Sequence, residues 1–337
     1  MLPLWLIISP LLLALIIILT LDWSKVLEEN FRISRIRWGV TRLIPSIYVL
    51  VFLVALPLNL MAIVIFLVKM KVRKPAVVYM LNLAIADVFF ISVLPFYIVY
   101  RYCGNNWVLG EGMCRFVTAT FYCNMYCSIL LMTSISVDRF LAIVYPVRSL
   151  SWRTVNRAWL VCGIIWVISL ASTVPLLINK QTLSVPVLHI TTCHDNQDVE
   201  VLRNYYFYYF IALISLFFFF PLCITVFCYI GIIRCLSRFD RTHKRLRAIV
   251  LTVIVLCVFV LCFGPTNVIH FTHYLQLYYY SDASLYSAYI LCVGISSISC
   301  CLDPLIYYFA SSQCQRYVYS LLRWSFFCFA IEQATLL

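Results

Sequence analysis

The sequence predicts an all-α membrane protein: a seven-transmembrane helix bundle with a short amphipathic helix after the seventh span. The chain has 337 residues, of which 64% are hydrophobic and only 11% charged, and its mean hydropathy is +0.98. A soluble domain cannot bury so much apolar surface in one core, so the composition indicates a bilayer environment. Seven apolar runs are each long enough to cross about 30 Å of hydrocarbon as a helix.

The distribution of charge supports this count. Most of the 25 lysines and arginines lie in four clusters between alternate apolar runs, at 69–74, 139–157, 234–247 and 316–323. The positive-inside rule makes these loops cytoplasmic, which places the N-terminus outside and the C-terminus inside. The net charge of +12 is therefore explained by topology, and a nucleic-acid partner is disfavoured. We expect a multi-pass protein of the plasma membrane whose direct surroundings are lipid.

The chain divides into four parts. Residues 1–21 form an apolar leader, expected to be a signal peptide or an uncleaved signal anchor, although a basic n-region and a small-residue cleavage site are not distinct. Residues 22–43 form a short extracellular segment, residues 44–310 the seven-helix domain, and residues 311–337 a cytoplasmic interfacial helix and short tail.

The spans follow in order. They are expected at 44–68, 76–100, 114–138, 158–177, 205–233, 248–276 and 285–310. Prolines inside them weaken backbone hydrogen bonding and predict kinks. The best candidates for hinges are Pro265 and Pro304, because they stand beside Phe263 and Asp303. After the seventh span, Tyr317, Leu321 and Trp324 recur at helical spacing.

Polar residues at bilayer depth carry a functional expectation, since an ionisable group there costs about 2.5–3.5 kcal/mol on insertion scales. The spans contain five such residues that we predict to form a polar cluster: Asn59, Asp87, Asn124, Ser128 and Asp303. Their oxygens are suited to water or to an allosteric sodium ion, for which Asp87, Ser128 and Asp303 are the candidate ligands. The alternative is a protonated aspartate hydrogen-bonded between helices. No other cofactor is expected.

Sixteen cysteines suggest metal or disulfide chemistry, but most lie in apolar runs, where a small buried hydrophobic residue is the simpler interpretation. Cys103, Cys114 and Cys193 are external. On the cytoplasmic side Cys314 and Cys328 are candidates for palmitoylation.

The third span ends in Asp138-Arg139-Phe140 and resembles the third helix of rhodopsin-class G-protein-coupled receptors, where the usual tripeptide is Asp-Arg-Tyr. The resemblance implies a switch at the cytoplasmic face. In that class the acid and arginine hold the inactive state, and the arginine turns toward the G protein on activation. Tyr229 and Tyr307 match the tyrosines that meet it.

Longer strings resemble the protease-activated receptors of the thrombin receptor type over about residues 44–320. They are FLVKMKVRKPAVVYMLNLAIADV, CRFVTATFYCNMY, YPVRSLSWRT, ITTCHD, CFGPTNV and SSISCCLDPLIYYFASSQCQRYVYS. The resemblance implies a disulfide between Cys114 and Cys193. It also implies activation by a serine protease such as thrombin or trypsin, whose cut after a basic residue frees a tethered peptide ligand. Candidate cleavage sites follow Arg32, Arg35 and Arg37.

The same resemblance assigns a ligand pocket beside the second external loop, at His194 and Asp195. The further matching positions are Phe121, Tyr122, Leu202, Phe210, His273, Tyr274, Tyr286 and Tyr289. Aromatic anchors with a few polar groups are what a peptide pocket requires, although helix packing is the alternative for each position. The implied partners are heterotrimeric G proteins of the Gq/11, G12/13 and Gi classes, with phosphoinositide and calcium signalling.

The extracellular segment leaves an alternative function open. Residues 22–43 contain no acidic protease-docking stretch and no recognisable agonist sequence. The alternative is therefore a receptor-like protein without its own tethered ligand, acting as a non-signalling partner in a receptor dimer. A retinal protein would need a lysine within 285–310, and a transporter would show internal repeats; the sequence has neither. The five histidines have no nucleophile nearby in sequence, so no enzyme is predicted.

Overall fold

The computed structural model describes residues 33–185, 189–194, 205–237, 243–280, 286–310 and 314–317. Within them, seven helices are long and apolar enough to cross a membrane, as predicted. Helices α1–α4 are Ile33–Val64, Pro75–Tyr102, Gly110–Val144 and Val155–Ile178. Helix α5 is Phe207–Ser237, α6 comprises His243–Val258 and Gly264–Tyr280, and α7 comprises Tyr286–Ser296 and Ser299–Ala310. A helical turn at 314–317 follows the seventh span.

Two helix starts follow directly from the sequence. Pro75 occupies the first position of α2, where its missing N–H costs no intrahelical hydrogen bond, and Lys74 before it is extended. Helix α4 begins after Thr154, whose hydroxyl oxygen accepts a hydrogen bond from the backbone N–H of Arg157 at 3.3 Å. Each start is therefore fixed by a residue that satisfies or removes an unpaired backbone donor.

Wider π-helical turns occur at three places. Ile65–Lys69 follows directly after Val64 of α1, Ser215–Phe219 lies within α5, and Phe259–Phe263 joins the two parts of α6. The last two come just before Pro221 and Pro265. A proline cannot donate to the preceding turn and its ring crowds the carbonyl four residues earlier, so a widened turn there relieves the conflict.

Pro304 in α7 is accommodated differently. Its missing N–H removes the intrahelical donor to the carbonyl oxygen of Cys300. The side-chain Nδ2 of Asn59 on α1 donates to that oxygen at 2.9 Å, and also to the carbonyl of Ala55 at 3.0 Å. The gap that the proline leaves in α7 therefore becomes a link to α1.

Helix α3 occupies the centre of the bundle and packs against α2, α4 and α5, while α1 packs against α2 and α7. Along α3 the side chains of Cys114, Tyr126 and Met132 are fully buried. Large apolar side chains such as Leu53, Leu160 and Phe227 are exposed instead on the outer helices. Lipid takes the place of a protein partner for such outward faces.

A β-hairpin covers the outer end of the bundle. Strands β1 (Thr182–Val185) and β2 (Ile190–Cys193) are antiparallel, with Thr182 opposite Cys193. A disulfide joins Cys193 to Cys114 at the start of α3, as predicted, and Cys103 is an exposed free thiol. The hairpin is thus bound covalently to the central helix.

Candidate functional site

Glu111 anchors the hairpin from the first turn of α3. Its Oε1 accepts hydrogen bonds from Arg115 Nε at 2.6 Å and from the backbone N–H of Gln181 at 2.7 Å. Its Oε2 accepts from the backbone N–H of Thr182 at 3.0 Å and from the Thr182 hydroxyl. The beginning of β1 is therefore set by the beginning of α3.

The loop between α2 and α3 holds the second strand. The Trp107 backbone N–H donates to the Thr191 carbonyl at 2.7 Å, and Asn106 Oδ1 accepts from the Thr191 N–H at 3.0 Å. The Tyr100 hydroxyl at the outer end of α2 accepts from the Cys193 N–H at 3.2 Å. Because these hydrogen bonds hold both strands, the hairpin has a fixed position over this end of the bundle.

Aromatic rings from four helices meet beneath the β-hairpin. The ring of Phe210 on α5 lies 5.3 Å from Tyr122 on α3, and 4.6 and 4.8 Å from His270 and Tyr274 on α6. The His270 ring is also 4.5 Å from that of Tyr289 on α7. Offset and tilted ring pairs at such distances are each worth about 0.5–1.5 kcal/mol beyond burial. The cluster therefore couples α3, α5, α6 and α7 at one level of the bundle.

A line of hydrogen bonds joins this cluster to the hairpin. The Tyr122 and Tyr289 hydroxyl oxygens are 2.6 Å apart, and the Tyr122 hydroxyl lies 3.1 Å from His194 Nε2. The other ring nitrogen of His194 lies 2.8 Å from Gln181 Oε1. These hydrogen bonds therefore connect the hairpin to α3 and α7.

The predicted pocket residues divide into three groups. The structure brings Tyr122, His194, Phe210, Tyr274 and Tyr289 into the cluster. Phe121 packs edge-on against Phe90 with ring centroids 5.9 Å apart, on the α2 side, and the His273 ring lies 5.7 Å from Tyr274. Asp195 and Leu202 lie outside the described residues, as does the side chain of Tyr286.

Deeper in the bundle, Asp87 and Asp303 are fully buried and close enough to interact electrostatically, with Cys300 beside them. The Asn124 amide is directed toward the Cys300 sulfur at 4.0 Å. Asn59 reaches the same region from α1 through its bond to the Cys300 carbonyl. The five residues predicted as a polar cluster are drawn from α1, α2, α3 and α7.

This polar cluster has unused oxygen atoms. No side chain among the described residues forms a good hydrogen bond with the carboxylate oxygens of Asp87 or Asp303, with Asn124 Oδ1 or with Ser128 Oγ, and all are buried. Buried polar atoms normally have partners, and carboxylate and hydroxyl oxygens suit a hard cation or water. These oxygens are therefore chemically suited to the sodium ion predicted from the sequence, and the adjacency of the two carboxyl groups equally fits the alternative of a protonated aspartate that hydrogen-bonds to the other.

At the end of the bundle opposite the hairpin, the Asp138 carboxylate binds Arg153 of the loop between α3 and α4. Arg153 Nε donates to Oδ1 at 2.8 Å and its terminal nitrogen to Oδ2 at 2.9 Å, a bidentate pair. The hydrogen bond to Asp138 raises the pKa of Arg153 above the ordinary arginine value, so it stays cationic. Both residues line a cavity of about 310 Å³ with Trp152 and Arg157. The resemblance to the receptor class implied that Arg139, the next residue in sequence, acts with Asp138 to hold the inactive state.

The two predicted switch tyrosines have partners in the bundle. The Tyr229 hydroxyl on α5 lies 2.6 Å from that of Ser136 on α3. The Tyr307 hydroxyl donates to Asn59 Oδ1 at 3.5 Å, and its ring packs edge-on against Phe66 at 5.4 Å. Both tyrosines are therefore held at the inner half of the bundle, in reach of α3 and α1.

Phe140, which replaces the usual tyrosine of the tripeptide, packs onto α5. Its ring faces Gly231, where an added Cβ would overlap it, and lies 5.7 Å from Phe227 and 5.8 Å from Tyr145. The glycine allows α3 and α5 to approach closely at this level.

The predicted cleavage sites and palmitoylation candidates lie near the ends of the chain. Arg35 and Arg37 lie in the helical backbone at the start of α1, which a protease would have to open before cutting. Arg32 and Cys328 lie outside the described residues, and Cys314 is buried.

Sequence reasoning did not assign roles to Arg153, Gln181 or His270. Nothing in the local pattern marks Arg153 or Gln181, because both act on residues of another element. His270 offered a signal: it precedes His273 and Tyr274 by three and four positions, which puts all three on one helix face.

Comparison with known proteins places these features in context. A model of the family described as 7 transmembrane receptor (rhodopsin family) matches residues 58–307. Proteinase-activated receptor 1 of Xenopus laevis is 64% identical over 285 residues, covering 84% of this chain and 67% of that protein. The Homo sapiens protein of the same name is 58% identical over 286 residues, covering 84% and 67%. Proteinase-activated receptor 3 of Rattus norvegicus is 40% identical over 275 residues, covering 80% and 73%.

Proposed function

Because the chain belongs to the rhodopsin family of seven-transmembrane receptors, and within it to the proteinase-activated receptors, we propose that it converts extracellular proteolysis into activation of heterotrimeric G proteins. The observation that carries this proposal is the arrangement of Tyr122, His194 and Tyr289 beneath an anchored hairpin. It gives a peptide ligand aromatic surface and polar groups at the outer end of the bundle, as a peptide pocket requires.

The ligand is the new N-terminus of the receptor itself, released by a serine protease such as thrombin or trypsin. Since it stays attached, its effective concentration is high and a modest intrinsic affinity suffices. The N-terminus is extracellular in this proposal, on the side of the Cys114–Cys193 disulfide and opposite the basic loops.

Binding acts through the aromatic cluster. Phe210, His270 and Tyr289 belong to α5, α6 and α7, so a ligand that moves one ring alters the packing of all three helices. Ligand affinity then differs between two arrangements of the bundle and shifts the population toward the one with an open cytoplasmic face.

The cytoplasmic face carries the output. Opening separates Asp138 from Arg153, and Arg139 becomes available to the G protein. Gq/11, G12/13 and Gi are the proposed partners, with phosphoinositide and calcium signalling as the response.

A sodium ion is proposed as an allosteric ligand of the deep cluster, held by Asp87, Ser128 and Asp303, whose oxygens are buried and have no hydrogen-bond partner of good geometry among the described residues. When bound, such an ion supplies positive charge between two buried carboxylates. The residues themselves orient α2, α3 and α7 around that point, and Asn59 ties α1 to it through the Cys300 carbonyl.

The test is calcium release and Gα activation in cells that express the chain, before and after thrombin or trypsin, with the new N-terminus sequenced. We expect a protease-dependent signal whose new N-terminus begins after Arg32, Arg35 or Arg37. Untransfected cells and a protease with a blocked active site are the controls.

A variant with all three arginines changed to glutamine should remain at the cell surface and lose the response. Cleavage at these bonds without any signal above untransfected cells would contradict the proposed function.

A further inference from the structure

Gln181 is a polar side chain only 1% exposed, at the start of the hairpin. Its Nε2 lies 2.9 Å from the Tyr206 hydroxyl and 3.3 Å from the backbone carbonyl oxygen of Asn179, and its Oε1 lies 2.8 Å from His194 Nδ1. A buried amide is costly unless its donors and acceptor are paired, and here both ends are paired.

These partners fix the direction of each hydrogen bond. The Asn179 carbonyl can only accept, so the amide nitrogen of Gln181 must face it and the amide oxygen must face His194. That oxygen can only accept, so Nδ1 of His194 carries a proton. In a neutral imidazole Nε2 is then an acceptor, and the Tyr122 hydroxyl donates to it at 3.1 Å.

The next bond follows. The Tyr122 proton is committed to His194, so the Tyr289 hydroxyl donates to the Tyr122 oxygen at 2.6 Å. Tyr289, Tyr122 and His194 therefore donate in one direction, from α7 toward the amide oxygen of Gln181. Hydrogen bonds in such a chain polarise and strengthen one another.

We propose that Gln181 is a positioning residue that sets the tautomer and ring orientation of His194, and thereby the direction of the chain from Tyr289 to the hairpin. The inference rests on the proposed function, because it assigns how a ligand under the hairpin is sensed by α3 and α7. Removing the amide oxygen of Gln181 removes the acceptor that faces Nδ1 of His194, so the hydrogen bond that favours a proton on Nδ1 is lost.

The position of Gln181 is itself fixed on both sides. Its backbone N–H donates to Glu111 at 2.7 Å, and its backbone carbonyl accepts from the His194 N–H at 2.8 Å. Its side chain also reaches Tyr206, just before α5. Gln181 thus meets His194 through backbone and side chain together, which a residue that merely fills space would not require.

The first test reads the tautomer directly. The purified full-length chain in lipid nanodiscs, labelled with ¹⁵N-histidine, gives separate signals for protonated and bare ring nitrogens, and His194→Gln assigns the resonance. We expect His194 to carry its proton on Nδ1 in the wild type and in Ser184→Ala, an exposed hairpin position whose change leaves the Gln181 amide in place. In Gln181→Leu the preference should be lost. A proton on Nε2 in the wild type, or an unchanged tautomer in Gln181→Leu, would overturn the proposal.

The second test reads potency with a synthetic peptide matching the N-terminus sequenced after proteolysis. Loss of one buried hydrogen bond predicts about a fivefold to tenfold rise in the half-maximal concentration for Gln181→Leu, with an unchanged maximal response. Ser184→Ala, an exposed position of the same hairpin, is the matched control and should stay near wild type. If Gln181→Leu behaves like Ser184→Ala, the role is refuted. The tautomer measurement needs no signalling, so it decides the inference even where the proposed function fails.

Discussion

Asp138 is held in the bundle by Arg153, fifteen positions later in the chain. The carboxylate is nearly buried, with its side chain 5% exposed, whereas Arg153 is 22% exposed and extends to it from the loop. No periodicity connects a helix end to a loop residue, so the sequence identified the acid but not this cation. The same limit applies to Asn59 and the Cys300 carbonyl, which only the folded bundle brings together.

Arg153→Gln should destabilise the protein, because it leaves the Asp138 carboxylate buried without its cation. The expected loss is about 1–3 kcal/mol, less than for a fully buried pair since Arg153 is partly solvated. Thermal denaturation of the purified protein measures it, with Arg157→Gln as the exposed control on the adjacent helix turn. Adding Asp138→Asn to Arg153→Gln should restore part of the loss. Equal midpoints for Arg153→Gln and Arg157→Gln would show that the pair contributes nothing.

The helices themselves were predictable because their signals are local: long apolar runs, Pro75 at a helix start, and basic clusters between alternate apolar runs. The interactions between helices and strands were harder to predict. Glu111, for example, accepts hydrogen bonds from Arg115, one turn later in α3, and from Thr182, the first residue of β1, and no local sequence pattern connects it to β1. The disulfide was predicted by resemblance, whereas the hydrogen bonds that hold the hairpin require its register.

The close approach of α3 and α5 at Phe140 makes Gly231 intolerant of a side chain. Gly231→Ala places a methyl group against the Phe140 ring, which Phe227 and Tyr145 also contact. Overpacking of this kind costs about 1–3 kcal/mol. We expect a lower thermal midpoint for Gly231→Ala and no such drop for Gly163→Ala, a helical glycine of α4 with open space around an added Cβ.

A double variant separates this contact from a simple helix effect. In the Phe140→Ala background the ring is gone, so adding Gly231→Ala should cost little further stability. If the alanine is equally costly with and without the ring, the packing explanation fails.

For the whole molecule, composition was sufficient to predict a seven-helix membrane bundle, and the charge asymmetry predicts that the basic loops are cytoplasmic. Composition and charge did not predict which residues connect the two ends of the helix bundle. The structure places an aromatic cluster at the outer end and the Asp138–Arg153 pair at the inner end, and α3 runs through both. Within α3, Asn124 and Ser128 of the buried polar cluster lie between Tyr122 and Asp138.

The most direct test of a receptor that couples proteolysis to G proteins is nucleotide exchange on purified Gα by the full-length chain in nanodiscs, before and after trypsin or thrombin. We predict that cleavage accelerates exchange, that Arg139→Ala abolishes the acceleration at equal receptor amount, and that Arg73→Ala, an exposed cytoplasmic arginine, retains it. Verified cleavage without faster exchange, or full acceleration by Arg139→Ala, would contradict it.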